Sequence, residues 1–198
     1  SLLKEIAIMH CNYVAAYDSL SKLLFDRGFH ELDSPTKKAP WKLHHQSIED
    51  LAKLGHATSL RQLLDHKKPN NQAVGNEPWP EKPEWTLRHF AVYTACINGQ
   101  IDCLRELLID KPFSEQPWPN KGHGYTMYHY VLSILIEHNQ HQCLSTLLFG
   151  VEIENTHPIN LLIRLINEKK PKEITKELVL FSNTLIKSDH SMISILTH

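Results

Sequence analysis

Three stretches of this chain align with one another without a gap: Trp41–Leu64, Trp85–Leu108 and Tyr125–Leu148. Each opens on an aromatic residue (Trp41, Trp85, Tyr125) and carries a histidine four positions on (His45, His89, His129). Ten positions later comes a Gly or Asn (Gly55, Gly99, Asn139), and a leucine triplet closes the unit. The triplets are Leu60, Leu63 and Leu64; Leu104, Leu107 and Leu108; and Leu144, Leu147 and Leu148. A recurring short unit constrains the fold more than any composition figure. A unit of this size cannot bury its apolar face alone and has to stack on copies of itself.

The physics of one unit is readable from its residues. Thr86 and Thr126 are of the type that caps a helix N-terminus. Apolar residues then recur at helical spacing, as in Phe90, Ala91 and Ala95 or Val131 and Leu135. Gly55, Gly99 and Asn139 tolerate the left-handed backbone that ends a helix. A second helix follows at once, with the leucine triplet on one face. The spacing therefore predicts a helix–tight turn–helix hairpin. Units are expected at about 41–65, 85–109 and 125–149. Leu20, Leu23 and Leu24 match the triplet and place a first unit at about 1–25, with its turn near Val14–Ala16. A fifth is expected at 156–181 and a capping helix at 182–196, all within a single repeat domain spanning 1–198.

These residues resemble the ankyrin repeat. The stretch from Ala52 through Gly55 and His56 to Leu64, and its counterpart from Ala95 through Gly99 to Leu108, look like the core of that family. Its T-P-L-H signature is altered here to Thr86-Leu-Arg-His89 and Thr126-Met-Tyr-His129. Two departures stand out. The histidine precedes the Gly by about one extra helical turn, and the register histidines are 44 and 40 residues apart (45 to 89, 89 to 129), against the family's usual spacing of about 33. The resemblance implies an all-α, ankyrin-like helix–turn–helix solenoid with long inter-repeat loops. It also implies a protein partner, bound through loop fingers and the concave face of the first helices, with no intrinsic chemistry. Divergent arrays of this Lys-, Asn-, Ile- and His-rich kind also look similar to secreted effectors of Legionella-like intracellular bacteria. The expected location is cytoplasmic, or a host-cell cytosol for an effector. A second reading makes this region the substrate-recruiting or regulatory part of an enzyme whose catalytic domain lies outside it.

The connections between units are long. Asp65–Glu84 and Ile109–Gly124 each contain Pro-Trp-Pro, as Pro78-Trp79-Pro80 and Pro117-Trp118-Pro119, and 26–40 ends on Pro40 before Trp41. Loops of this length without structure of their own are often functional. Proline stiffens them, so binding freezes less freedom, and Trp is a frequent interface anchor. Each Trp either contacts a partner or packs on a neighbouring loop, and its recurrence at equivalent positions favours packing. The partner-binding candidates are Trp79, Trp118, Lys121 and His123 in the fingers, with Arg88 and Tyr128 on the first helices.

Composition narrows the chemistry. The formal net charge of -1, from 21 basic and 22 acidic residues, argues against nucleic acid, whose binding relies on neutralising phosphates. No GxGxxG or GxxxxGK motif is present. No apolar run approaches the roughly 18 residues of a membrane span, and no signal peptide is visible, so no membrane insertion is expected. The chain begins at Ser1 without an initiator Met and reads as a segment of something longer. The 14 histidines invite metal or catalytic chemistry. His138, His141 and Cys143 have zinc-like spacing, but Cys143 falls in the apolar register of the second helix. His44 and His45 are adjacent and are expected to point to different faces. Cys96 and Cys103 read as small hydrophobes, and the four cysteines, with no CxxC, as reduced thiols. No catalytic residue, metal or cofactor is expected. The register histidines are expected to hydrogen-bond at helix starts and between units.

Overall fold

The computed structural model describes residues 7–8, 17–34, 37, 40–117 and 126–149. Most of these residues are helical, with one short two-stranded ribbon. The turn expected near Val14–Ala16, the unit at 156–181 and the helix at 182–196 lie outside the described residues.

The three aligned segments form hairpins at the expected places. The first pairs α2 (Leu43–Leu54) with α3 (Ala57–Asp65). The second consists of α4 (Leu87–Ile97) and α5 (Ile101–Leu108), and the third of α7 (Met127–Glu137) and α8 (His141–Phe149). The turn residues adopt the left-handed backbone that their types favour: φ is +80° at Gly55, +66° at Gly99 and +57° at Asn139. The next amide then reaches back over the turn, His56 N–H to Leu51 O at 3.0 Å and Gln140 N–H to Leu135 O at 2.8 Å. This satisfies helix carbonyls that would otherwise be orphaned. Ahead of these hairpins, α1 (Tyr17–Ser21) runs into a π-type turn, Lys22–Asp26, that ends before Gly28 at φ +70°.

The connections are not structureless. The first holds a 3-10 turn, Phe29–Glu31. The next holds a 3-10 turn, Val74–Asn76, and an antiparallel ribbon of β1 (Pro78–Trp79) and β2 (Lys82–Thr86). The third begins with the short helix α6 (Lys111–Ser114). Each finger closes in the same way. A bridge joins Asp33 to Lys42 and another joins Pro117 to Thr126, while Pro78 pairs with Thr86 in the ribbon. Beside each, the first residue of the following helix donates its N–H across the finger: Leu43 to Leu32 O (2.9 Å), Leu87 to Glu77 O (2.8 Å) and Met127 to Gln116 O (2.9 Å). The excess length over a short repeat is thus spent on closed fingers whose ends return to one point.

The chain divides into two compact units, Ser1–Ala95 with Asp102–Leu107, and Cys96–Ile101 with Leu108–His198. In the first, Leu20, Leu24, Ile48, Leu51, Leu60, Leu63 and Leu64 are wholly buried. Each such side chain contributes on the order of 1.5–3 kcal/mol. Successive hairpins meet here: the Trp41 ring packs edge-on against Phe90 at 5.1 Å, Arg61 pairs with Glu106 at 2.6 Å, and Arg88 pairs with Asp65. Within the second unit, Gln140 Nε2 donates to Ile97 O and the Cys143 thiol to Gly99 O, both at 3.0 Å. The turn of one hairpin is thereby tied to the turn of the next.

Candidate interaction surface and histidine sites

The register histidines sit at the third position of each first helix and accept the backbone N–H of the residue that precedes the helix. His45 Nδ1 takes Lys42 N–H at 3.1 Å, His89 Nδ1 takes Thr86 N–H at 3.0 Å, and His129 Nδ1 takes Thr126 N–H at 3.1 Å. The hydroxyls of Thr86 and Thr126 lie 2.7 and 2.9 Å from the same ring nitrogens. The ring does the work that Glu or Gln does at this position of a capping box. An acceptor Nδ1 requires an unprotonated nitrogen, so these rings are neutral. Burial holds them so: it pushes His45 down to about 3, with neighbouring His44 adding to it, and His89 down to about 4, with Arg88 adding to it. The aromatic column also has a role. Trp41 and Trp85 stand edge-on to His45 and His89 at 5.8 and 5.1 Å.

The sequence-derived surface candidates divide. Trp79 is 3% exposed. Its ring packs on Phe90 and Tyr93 at 5.1 and 5.7 Å, and Lys82 Nζ covers it at 4.9 Å. The ring is thus buried, but on the following helix of its own unit and not on a neighbouring loop as the packing alternative had it. Outside it, Glu81, Lys82, Pro83 and Glu84 are exposed at the finger tip. Arg88 is partly exposed beside Asp65, and Tyr128 is partly exposed on α7. Trp118, Lys121 and His123 lie outside the described residues.

One cluster escaped the sequence reading. His44 and His45 do not diverge: their ring centroids are 4.0 Å apart. At the first turn of a helix, successive side chains can both reach back past the helix end. His45 does so to Lys42 N–H, and His44 Nδ1 to His30 O at 2.8 Å. His44 Nε2 meets Glu77 Oε2 at 3.2 Å, and Lys68 Nζ lies 2.8 Å from Glu77 Oε1. Burial alone would raise the Glu77 carboxyl, but the hydrogen bonds from His44 and Lys68 outweigh it and hold the group at about 2. Glu77 is distant in sequence, and no local pattern links it to His44.

The donor atoms of His44, His45 and Glu77 lie within 4.8 Å of one another, a ligand type and number that suits zinc. The bonding already present does not fit that ion. His45 Nδ1 is occupied by Lys42 N–H, so the ring proton sits on Nε2 and neither nitrogen keeps a free lone pair. The Lys68 ammonium already balances Glu77. Two donors beside a cation are too few to hold the metal.

Among the described residues, the thiols are not poised for nucleophilic chemistry. Cys96, Cys103 and Cys143 are buried. Burial pushes Cys96 well up and Cys103 up to about 12, Asp102 adding to the latter. Cys143 is 5% exposed on α8, whereas His138 is exposed at the turn. No helix among the described residues is long and apolar enough to cross a membrane. No family model, curated protein or solved structure matches this chain.

Proposed function

We propose that this chain is an ankyrin-like protein-interaction module, its helix–turn–helix units stacked as a solenoid. It binds a protein partner through finger tips and the exposed flank of the first helices. One observation carries the reading: three fingers close with the same backbone bond, onto helices capped by the same histidine. A chain that repeats its scaffold so closely, while varying its finger tips, has a rigid frame and an adjustable edge, and that arrangement suits recognition. In the first unit the accessible residues are Glu81, Lys82, Pro83, Glu84 and Arg88; Tyr128 is the described candidate of the second, and Lys121 and His123 stay candidates on the sequence alone. Trp79 stiffens the edge from behind, so Trp118 is the remaining indole candidate for direct contact. The buried thiols of Cys96, Cys103 and Cys143 support binding more than catalysis by these three groups. A secreted effector acting in a host cytosol is the setting that the resemblance suggests.

The test is affinity capture with the full chain and with a Glu81→Lys/Glu84→Lys/Tyr128→Ala variant, its fold checked by circular dichroism. The wild type should retain a partner that the variant loses at least tenfold. Equal capture by a folded variant removes this surface from the proposal.

A further inference from the structure

His44 stands between two elements that offer it only acceptors. Its Nδ1 is 2.8 Å from the His30 carbonyl oxygen and its Nε2 is 3.2 Å from Glu77 Oε2. A carbonyl has no proton to give. Glu77 is a carboxylate, since Lys68 Nζ sits at its other oxygen. A neutral imidazole has one N–H and one lone pair. One of the two contacts would then set a lone pair against an oxygen, around a side chain only 2% exposed. The imidazolium alone donates to both. Its neighbour His45 has the opposite requirement, because its Nδ1 faces a donor.

We propose that His44 is a proton-gated strut. Charged, it ties the Phe29–Glu31 turn and the Glu77 end of the next finger to the start of α2. Neutral, it keeps one of these bonds and releases the other. The surrounding charges support the charged form. On its own element stand His45, neutral, and Lys42, which is paired with Asp33 at 2.7 Å. From the 29–31 turn come His30, its ring 6.2 Å away, and Glu31, which lies 3.2 Å from His30 Nε2. From the finger come Glu77 and Lys68, and Lys68 also approaches Glu31 at 3.8 Å. Glu77 alone among these touches the ring with a full charge, and it is negative. The strut stands on this geometry whatever the fingers bind. Its consequence is a finger whose attachment weakens when His44 loses its proton, in the sense opposite to the capping histidines.

The experiment is a ring-nitrogen NMR titration of the full-length, ¹⁵N-histidine-labelled chain from pH 5 to 9, with His44 assigned by its loss in His44→Gln. Both His44 nitrogens should carry protons at pH 6.5, and the titration gives the midpoint at which one of them is lost. Glu77→Gln should lower that midpoint by one unit or more, a tenfold loss of proton affinity. A wild-type midpoint at or below 6.5 overturns the proposal, and decides the matter even if Glu77→Gln fails to fold. An unchanged midpoint in a folded Glu77→Gln also overturns it. So does a shift of the His44 Nε2 resonance on adding equimolar zinc chloride at pH 7, which would replace the strut with a metal site.

Discussion

His89→Gln isolates the cost of building a helix start on a buried imidazole. His89 accepts Thr86 N–H at 3.0 Å and is held down to about 4 by burial and by Arg88. The free side chain titrates near 6.5. A group whose folded value lies below its unfolded value stabilises the fold fully above the unfolded value and progressively less as pH falls toward the folded one. Here that window runs from 6.5 down to about 4. Linkage places the loss between pH 7 and pH 5 at about 2 kcal/mol. Glutamine at the same position can still accept the Thr86 N–H but cannot titrate. Urea unfolding of wild type and variant at both pH values reads the difference. With a slope of about 2 kcal/mol per molar urea, acidification should lower the wild-type midpoint by about 1 M more than the variant's. The variant should differ little from wild type at pH 7. Equal acid sensitivity of the two proteins, or a His89 ring that titrates near 6.5 by NMR, would refute the capping account.

Other outcomes follow from the same geometry. Gly55→Ala should cost about 1 kcal/mol in urea unfolding, because φ +80° is strained for any residue with a Cβ, whereas Asn139→Gly at φ +57° should be neutral or stabilising. Trp79→Ala should cost about 3–5 kcal/mol, since it removes a ring packed on Phe90 and Tyr93; a loss below about 1 kcal/mol would return Trp79 to the surface. Cys96, Cys103 and Cys143 should resist iodoacetamide in the native state and react once urea unfolds the chain, with mass spectrometry locating the adducts.

The hairpins were legible because their signals are local. A Gly or Asn ten positions past a register histidine needs only its own backbone preference to end a helix, and all three such positions have the left-handed conformation. The histidines were legible for the same reason, since ring and acceptor site lie three residues apart. The orientation of Trp79 was not legible. Pro-Trp-Pro announces a stiff segment, but whether its ring faces in or out depends on the register of a two-residue strand. In a β-ribbon a one-residue slip exchanges the faces. Here Trp79 pairs with Lys82 and Pro78 with Thr86 across an irregular step, and that register presses the ring onto α4.

The His44 site lay further out of reach. Adjacency suggested divergence from His45, and only the reach of side chains past a helix end brings the rings together. Its partners, the His30 carbonyl and Glu77, come from two different connections. By itself the amino-acid order determined the period of the repeat, the helix ends and the cap donors, because each depends on residues within a turn or two. The tertiary structure decided which indole is buried, how the fingers close, and that of two neighbouring histidines one faces a backbone donor and the other two acceptors. Those outcomes depend on which distant groups meet in a site too dry to leave a mismatch unanswered.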